Sequence, residues 1–166
     1  MTDINNKLFK LLKSHEWDQF KNIIENTKDI DLNIRDNSQN YLIQYAIIYN
    51  KYDIVNFLVN KKCKIDILDN DGRNILFNPI KYNYIKVIDY ILEYENKNIG
   101  ISISDMQDNI GYNPIHYAVL FKNLDAIDMF IKYKRSFDNT DFENNTTLHL
   151  AIKTKNIHVF NKIIEN

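Results

Sequence analysis

Four aspartates set the frame of this chain. Asp36, Asp69, Asp108 and Asp141 stand 33 residues apart (36 to 69), then 39 (69 to 108), then 33 (108 to 141). The residues after each aspartate fall into one register. Seven places on come Ile43, Leu76, Ile115 and Leu148, and ten places on come Ala46, Pro79, Ala118 and Ala151. Paired apolar residues follow: Ile54-Val55, Val87-Ile88, Ala126-Ile127 and Val159-Phe160, then Leu58-Val59, Ile91-Leu92, Phe130-Ile131 and Ile163-Ile164. The i, i+3, i+4 spacing within each unit is helical. A unit of two short helices cannot bury its apolar face alone, so such a chain has to stack unit on unit.

Punctuation residues sharpen the frame. Each unit should break between its helices near Asn50, Asn83, Asn123 and Asn156, because Asn tolerates the left-handed conformation that ends a helix. The turn after each aspartate calls for positive φ, which Gly72 and Gly111 supply freely and Asn144 tolerates. Gln39 departs from this pattern, and local strain or another turn type is expected there. Asn74, Asn113 and Thr146 suit the N-cap of the first helix, and Pro114 suits its first position. Tyr41 cannot cap in this way, which predicts a looser start for that helix. Pro79 inside a helix would remove the bond to the carbonyl of Ile75, so a kinked or shortened helix is expected.

Asn113-Pro114-Ile115-His116-Tyr117-Ala118 resembles the Thr-Pro-Leu-His-x-Ala signature of ankyrin repeats, as does Thr146-Thr147-Leu148-His149-Leu150-Ala151. Tyr41–Ala46 and Asn74–Pro79 are weaker copies, and the 33-residue period is also that of the family. Leu8-x-x-Leu11-Leu12 followed by Phe20-x-x-Ile23-Ile24 looks like a capping repeat. The resemblance implies a mainly α ankyrin-repeat solenoid, stacked helix-turn-helix units joined by β-hairpin loops. It is expected as a single domain over 1–166, with a cap at 1–35 and repeats at 36–68, 69–107, 108–140 and 141–166. Six extra residues lie between Glu93 and Asp108. There Ile99–Ser104 alternates apolar and small in a strand-like period, and the insert should lengthen the loop or the second helix. Little polar covering follows Ile163-Ile164, so either the last helix caps the stack or the chain is a segment of a longer array.

The resemblance also implies where a partner would sit. Ankyrin repeats bind through hairpin tips and the inner face of the first helix. The matching positions here include Ile48, Tyr49, Arg73, Lys81, Tyr82, Ile110, Tyr112, Leu120, Phe121 and Phe142. Tyr49, Tyr82 and Phe121 recur at one place in successive units. Apolar side chains where a solvated surface would carry charge mark an interaction site, and aromatic residues are enriched at binding hot spots. A protein partner on this concave face is therefore expected; the competing reading packs these side chains against their neighbours within the stack.

Composition narrows the remaining functions. Net charge is −1, so there is no long-range field for polyanions, and nucleic acid is a secondary expectation. The basic clusters Lys61-Lys62-Cys63-Lys64 and Lys132-Tyr133-Lys134-Arg135 leave a nucleic-acid or membrane-surface adaptor as the alternative; they also fit helix C-termini electrostatically. No apolar run reaches the length of a membrane span, and the first residues lack a signal peptide's character. With Cys63 as the lone cysteine, an intracellular, cytoplasmic setting is expected. No small-molecule substrate, cofactor, metal site or catalysis is expected. His116 and His149 read as structural hydrogen-bonding residues between repeats, His15 and His158 as isolated surface residues, and Cys63 as a small buried residue. The Asn- and Ile-rich composition resembles ankyrin proteins of large AT-rich DNA viruses, and also those of some protists and intracellular bacteria. By that analogy the partner would be a host protein, met in the host cytoplasm.

Overall fold

The computed structural model describes residues 2–98, 100 and 102–165. These fold as two compact units, residues 1–65 and 66–166. The first holds α1 (Thr2–Lys13), α2 (Trp17–Asn26), α3 (Leu42–Ile48) and α4 (Tyr52–Asn60). The second holds α5 (Phe77–Lys81), α6 (Ile85–Lys97), a 3-10 turn at Ile103–Asp105, α7 (Pro114–Leu120), α8 (Leu124–Lys132), α9 (Thr147–Thr154) and α10 (Ile157–Ile164). Among the described residues the only β pairing is a single bridge at three of the four hairpins: Arg35 with Tyr41, Leu68 with Asn74, and Thr140 with Thr146.

The core follows the apolar register. In the first unit α1 packs on α2 and α3, and α3 on α4. Leu8, Leu12, Phe20, Leu42, Ile43, Ile54 and Leu58 are fully buried there. In the second unit the first helices stack in the order α5, α7, α9, and the second helices in the order α6, α8, α10. Ile80, Ile88, Leu92, Val119, Ile127 and Phe130 fill the space between. Each such side chain contributes about 1.5–3 kcal/mol on burial.

Each hairpin aspartate ties its own turn. Asp36 Oδ1 accepts from the Ser38 and Asn40 amides, and Asp69, Asp108 and Asp141 repeat the pattern. Gln39 makes the same turn as the glycines, donating to Asp36 O at 2.9 Å with φ 65°, where Gly72 has φ 77°. The strain expected at Gln39 is thus a left-handed φ, at about 1 kcal/mol, and not a different turn. The expected loose start after Tyr41 is not found. Gln44 Oε1 accepts the Tyr41 amide at 2.7 Å, and α3 runs for seven residues like α7. A third-position side chain can secure a helix start from within.

Asn50 and Asn83 do end their helices left-handed, at φ 53° and 58°. Asn123 and Asn156 do not. The left-handed residues are Lys122 and Lys155, while the Asn123 and Asn156 side chains cap α8 and α10 by accepting from Ala126, His158 and Val159. Pro79 shortens its helix as expected. α5 starts at Phe77, two places later in register than α3 or α7, which puts Pro79 in the first turn. There its missing N–H leaves no helical bond unmade. Asn74 therefore does not cap α5; its Oδ1 accepts the Leu76 amide, and its Nδ2 donates to the carbonyls of Ile103 and Met106.

The insert lengthens the second helix to 13 residues, against nine in α4 and α8. Its described residues form the 3-10 turn and not the strand-like stretch expected; Ile99 and Ile101 lie outside the described residues. Ile103 is wholly buried, and the turn packs on α6 and α7. Ser104 donates its hydroxyl and its amide to buried Glu95, which also faces Arg135 at 3.3 Å.

Candidate protein-interaction surface

None of the ten expected contact residues is buried. Ile48, Lys81, Tyr82, Ile110, Phe121 and Phe142 are exposed, while Tyr49, Arg73, Tyr112 and Leu120 are half-buried. The arrangement is clearest in the second unit. Arg73 donates from Nε to Asp69 at 2.9 Å and pairs with Asp71, and its guanidinium lies over the Phe77 ring at 4.3 Å. Phe77 meets Tyr117 edge-on at 4.7 Å and Phe121 at 5.8 Å, and Tyr117 stacks on Phe121. Tyr112 closes on Tyr117 at 5.7 Å. Lys81 reaches over Tyr82 at 5.3 Å, and Tyr82 stacks on Tyr84. Pairs of this geometry contribute about 0.5–1.5 kcal/mol beyond their buried area.

The wall is therefore rigid on the inside and bare on the outside. Tyr82 keeps 52 % of its surface exposed and Phe121 39 %. On the hairpin tips Ile110 and Phe142 are freer still, at 57 % and 67 %. The tips are fixed by close approach: a side chain at Gly111 would collide with the Phe142 backbone and ring. Burial and the Tyr117 hydrogen bond to Asp108 push the Tyr117 phenol far up, so it stays a neutral donor. Burial also raises Tyr112, helped by the charges of Asp141, Glu143 and Asp108.

In the first unit Ile48 stands exposed at the end of α3. Tyr49 packs edge-on against His15 at 4.5 Å and Trp17 at 5.9 Å, and stacks with Tyr45. His15 is thus exposed as expected but not isolated. Asp36 is held by Tyr45 Oη at 2.6 Å and Lys13 Nζ at 2.9 Å. Burial alone would push its carboxyl up, but these bonds and the Asn40 amide hold it down at about 2.

Phe77, Tyr117, Tyr45 and Trp17 were missed as parts of this surface, and His15 was placed at the surface but not in its aromatic cluster. Tyr45 and Tyr117 occupy the variable place of the signature and Phe77 the place of its histidine, all outside the contact positions that the resemblance implied. The available signal was their spacing, one helical turn before Tyr49, Phe121 and Lys81.

His116 is wholly buried. Its Nδ1 accepts the Asn113 amide within its own hairpin, and its Nε2 is turned toward the backbone of Asn139 and Asn145 in the next. Burial lowers its pKa, keeping the ring neutral. His149 makes the same inner bond to Thr146 but stands exposed. Cys63 is buried, and burial raises its thiol to about 12, which leaves it inert as a nucleophile. Among the described residues no three His, Cys, Asp or Glu side chains gather as a metal site, and no helix is long and apolar enough to cross a membrane.

Comparison with known proteins agrees with this architecture. A family model described as ankyrin repeats (3 copies) matches residues 5–103, and a second ankyrin-repeat model matches residues 80–131. An ankyrin repeat protein of Acanthamoeba polyphaga mimivirus is 34 % identical over 97 % of this chain and 21 % of its own length. The nuclear factor NF-kappa-B p105 subunit of Rattus norvegicus is 23 % identical over 76 % of the chain and 13 % of its own length. An ankyrin repeat protein of Rickettsia felis is 24 % identical over 82 % of the chain and 43 % of its own length. The chain thus spans between about an eighth and under half of these relatives. Register, hairpins and these matches together make this chain a member of the ankyrin-repeat family, whose repeats generally serve as protein–protein interaction modules.

Proposed function

We propose that this chain is a non-catalytic binding module that holds a partner protein against its hairpin tips and first helices, the concave face in ankyrin repeats. The observation that supports this most is the exposure of Tyr82, Phe121, Ile110 and Phe142. Large exposed apolar side chains, with Tyr82 and Phe121 stacked against neighbouring rings, form the kind of surface that becomes a hot spot once a partner excludes water. The mimivirus relative favours a viral setting, with a host protein met in the cytoplasm as the target. Affinity capture from host-type cell lysate tests the reading, comparing wild type with Tyr49→Ala/Tyr82→Ala/Phe121→Ala after circular dichroism shows equal helix content. A partner held by wild type and lost by the folded variant supports it. A partner held equally by both refutes it for this face.

A second reading, a scaffold segment of a longer repeat array, is favoured by the α9–α10 end. Ile152 is 58 % exposed, while its register equivalents Ile80 and Val119 are fully buried. Fusion of an additional ankyrin repeat after α10 should raise the urea midpoint under this reading, and an unchanged midpoint counts against it.

A further inference from the structure

The second unit handles its lysines in two ways. On the second helices Lys132 pairs with Asp89 and Lys162 with Asp128 of the neighbouring helix, each at 2.6 Å, and Lys97 pairs with Glu93 of its own helix. At the ends of the first helices the lysines are not paired in this way. Lys81 ends α5, Lys122 follows α7 and Lys153 lies in the last turn of α9; all three are exposed. Among the described residues none of the three forms a salt bridge. Lys81 rests over the Phe77 and Tyr82 rings, and Lys153 donates to the amide oxygen of Asn145. Asp125 accepts from Asn83 at this rim, and Asn145, which accepts from Lys153, itself donates to Asp141 and Glu143. Exposed Tyr82 and Phe121 stand in chain order among these cations.

We propose that the ends of α5, α7 and α9 dock an acidic segment of a partner protein, its carboxylates meeting Lys81, Lys122 and Lys153 and its apolar side chains covering Tyr82 and Phe121. This rests on the protein-binding reading above and adds the chemistry of the partner. Uncompensated lysines around apolar rings complement an acidic-hydrophobic sequence, and such charge matching sets encounter rate and specificity. Nucleic acid fits less well. Tyr82 and Phe121 already spend a face on Tyr84 and Tyr117. Little ring face is left for stacking with bases.

The test is fluorescence anisotropy with three labelled probes: a peptide of about 12 residues alternating Glu with Leu and Phe, its Gln-for-Glu counterpart, and an oligothymidylate, each at about 50 and about 300 mM salt. The acidic peptide should bind tightest, weaken with salt, and lose about tenfold in Lys81→Gln/Lys122→Gln/Lys153→Gln, whose substitutions are all on exposed side chains. Equal binding of the Glu and Gln peptides, tighter binding of the oligonucleotide, or no binding of the acidic peptide each overturns the proposal. Repeating the lysate capture with the lysine variant separates the two claims. A partner lost on Tyr82→Ala/Phe121→Ala but kept on the lysine variant leaves the binding face standing without the acidic partner. A partner kept by both variants removes the binding face as well.

Discussion

Residues 69–107 and 108–140 lie side by side in the second unit and solve the same packing problem with different parts. The later stretch is regular: Asn113 caps, Pro114 opens α7, and Lys134 ends the unit left-handed at φ 53°. The earlier stretch starts α5 late because of Pro79. It also runs α6 past the place where its neighbours stop, with Glu95 standing in register with Lys134. Yet Val87, Ile88, Ile91 and Leu92 are as buried as Ala126, Ile127 and Phe130. The stack fixes the apolar positions and lets helix starts and stops drift.

The largest effect should therefore be the same in both stretches. Ile88→Ala and Ile127→Ala occupy one register position with no exposed surface, and each should cost about 2–5 kcal/mol in urea unfolding. A mild loss at Ile88 alone would show that the irregular stretch is loosely packed, and would break the equivalence. Next comes Asn113→Ala, which removes the cap accepted from the His116 amide at 3.0 Å; about 1–2 kcal/mol is expected. Asn74→Ala should act differently, speeding amide exchange around Ser102–Met106 because it frees the Ile103 and Met106 carbonyls. Pro79→Ala should change stability by less than about 1 kcal/mol in either direction, because the proline occupies a first turn. A stabilisation well above that would mean that the late start set by Pro79 costs packing as well as helix length.

The smallest effect is a pH slope found only in the earlier stretch. Burial raises the Glu95 carboxyl above 4.5, against hydrogen bonds from Ser104 and the Arg135 charge, which pull it down. The folded state then holds that proton more tightly than the unfolded chain, so this group's contribution falls as pH rises from 4.5 through its folded value. Asp36, Asp89 and Asp141 work oppositely and lower down: burial pushes each up, but their hydrogen bonds outweigh it. Their contribution is complete above 3.8 and is lost as pH falls through their folded values. Chemical unfolding between about pH 4 and 7 should show the Glu95 slope in the wild type and not in Glu95→Gln.

Most of this fold was legible because it rests on periodic requirements. The aspartate register, the shortened helix at Pro79 and the left-handed Asn50 and Asn83 each follow from one residue's local chemistry. Asn123 and Asn156 were placed one step off because Asn suits both a helix end and the next helix's cap, and only the neighbouring Lys122 and Lys155 decide between them. The longer second helix was legible in the insert, but its strand-like period was not a strand, because Ile and Ser alternate as readily around a 3-10 turn; the burial of Ile103 is tertiary. The contact surface was half legible. Register picked out Tyr82, Phe121, Ile110 and Phe142, whereas the bracing of Phe77 by Arg73 and Tyr117 depends on side-chain directions that register does not fix.

The hairpin aspartates carry an evolutionary consequence. Each needs a second donor at Oδ2, and the chain finds it in Tyr45, Arg73, Tyr117 or Asn145, reached from either the fourth or the ninth place after the aspartate. A lineage can lose one donor and recruit another without passing through an unsupported turn. That redundancy gives duplicated copies room to diverge, and it accounts for one turn surviving in four stretches that otherwise share little.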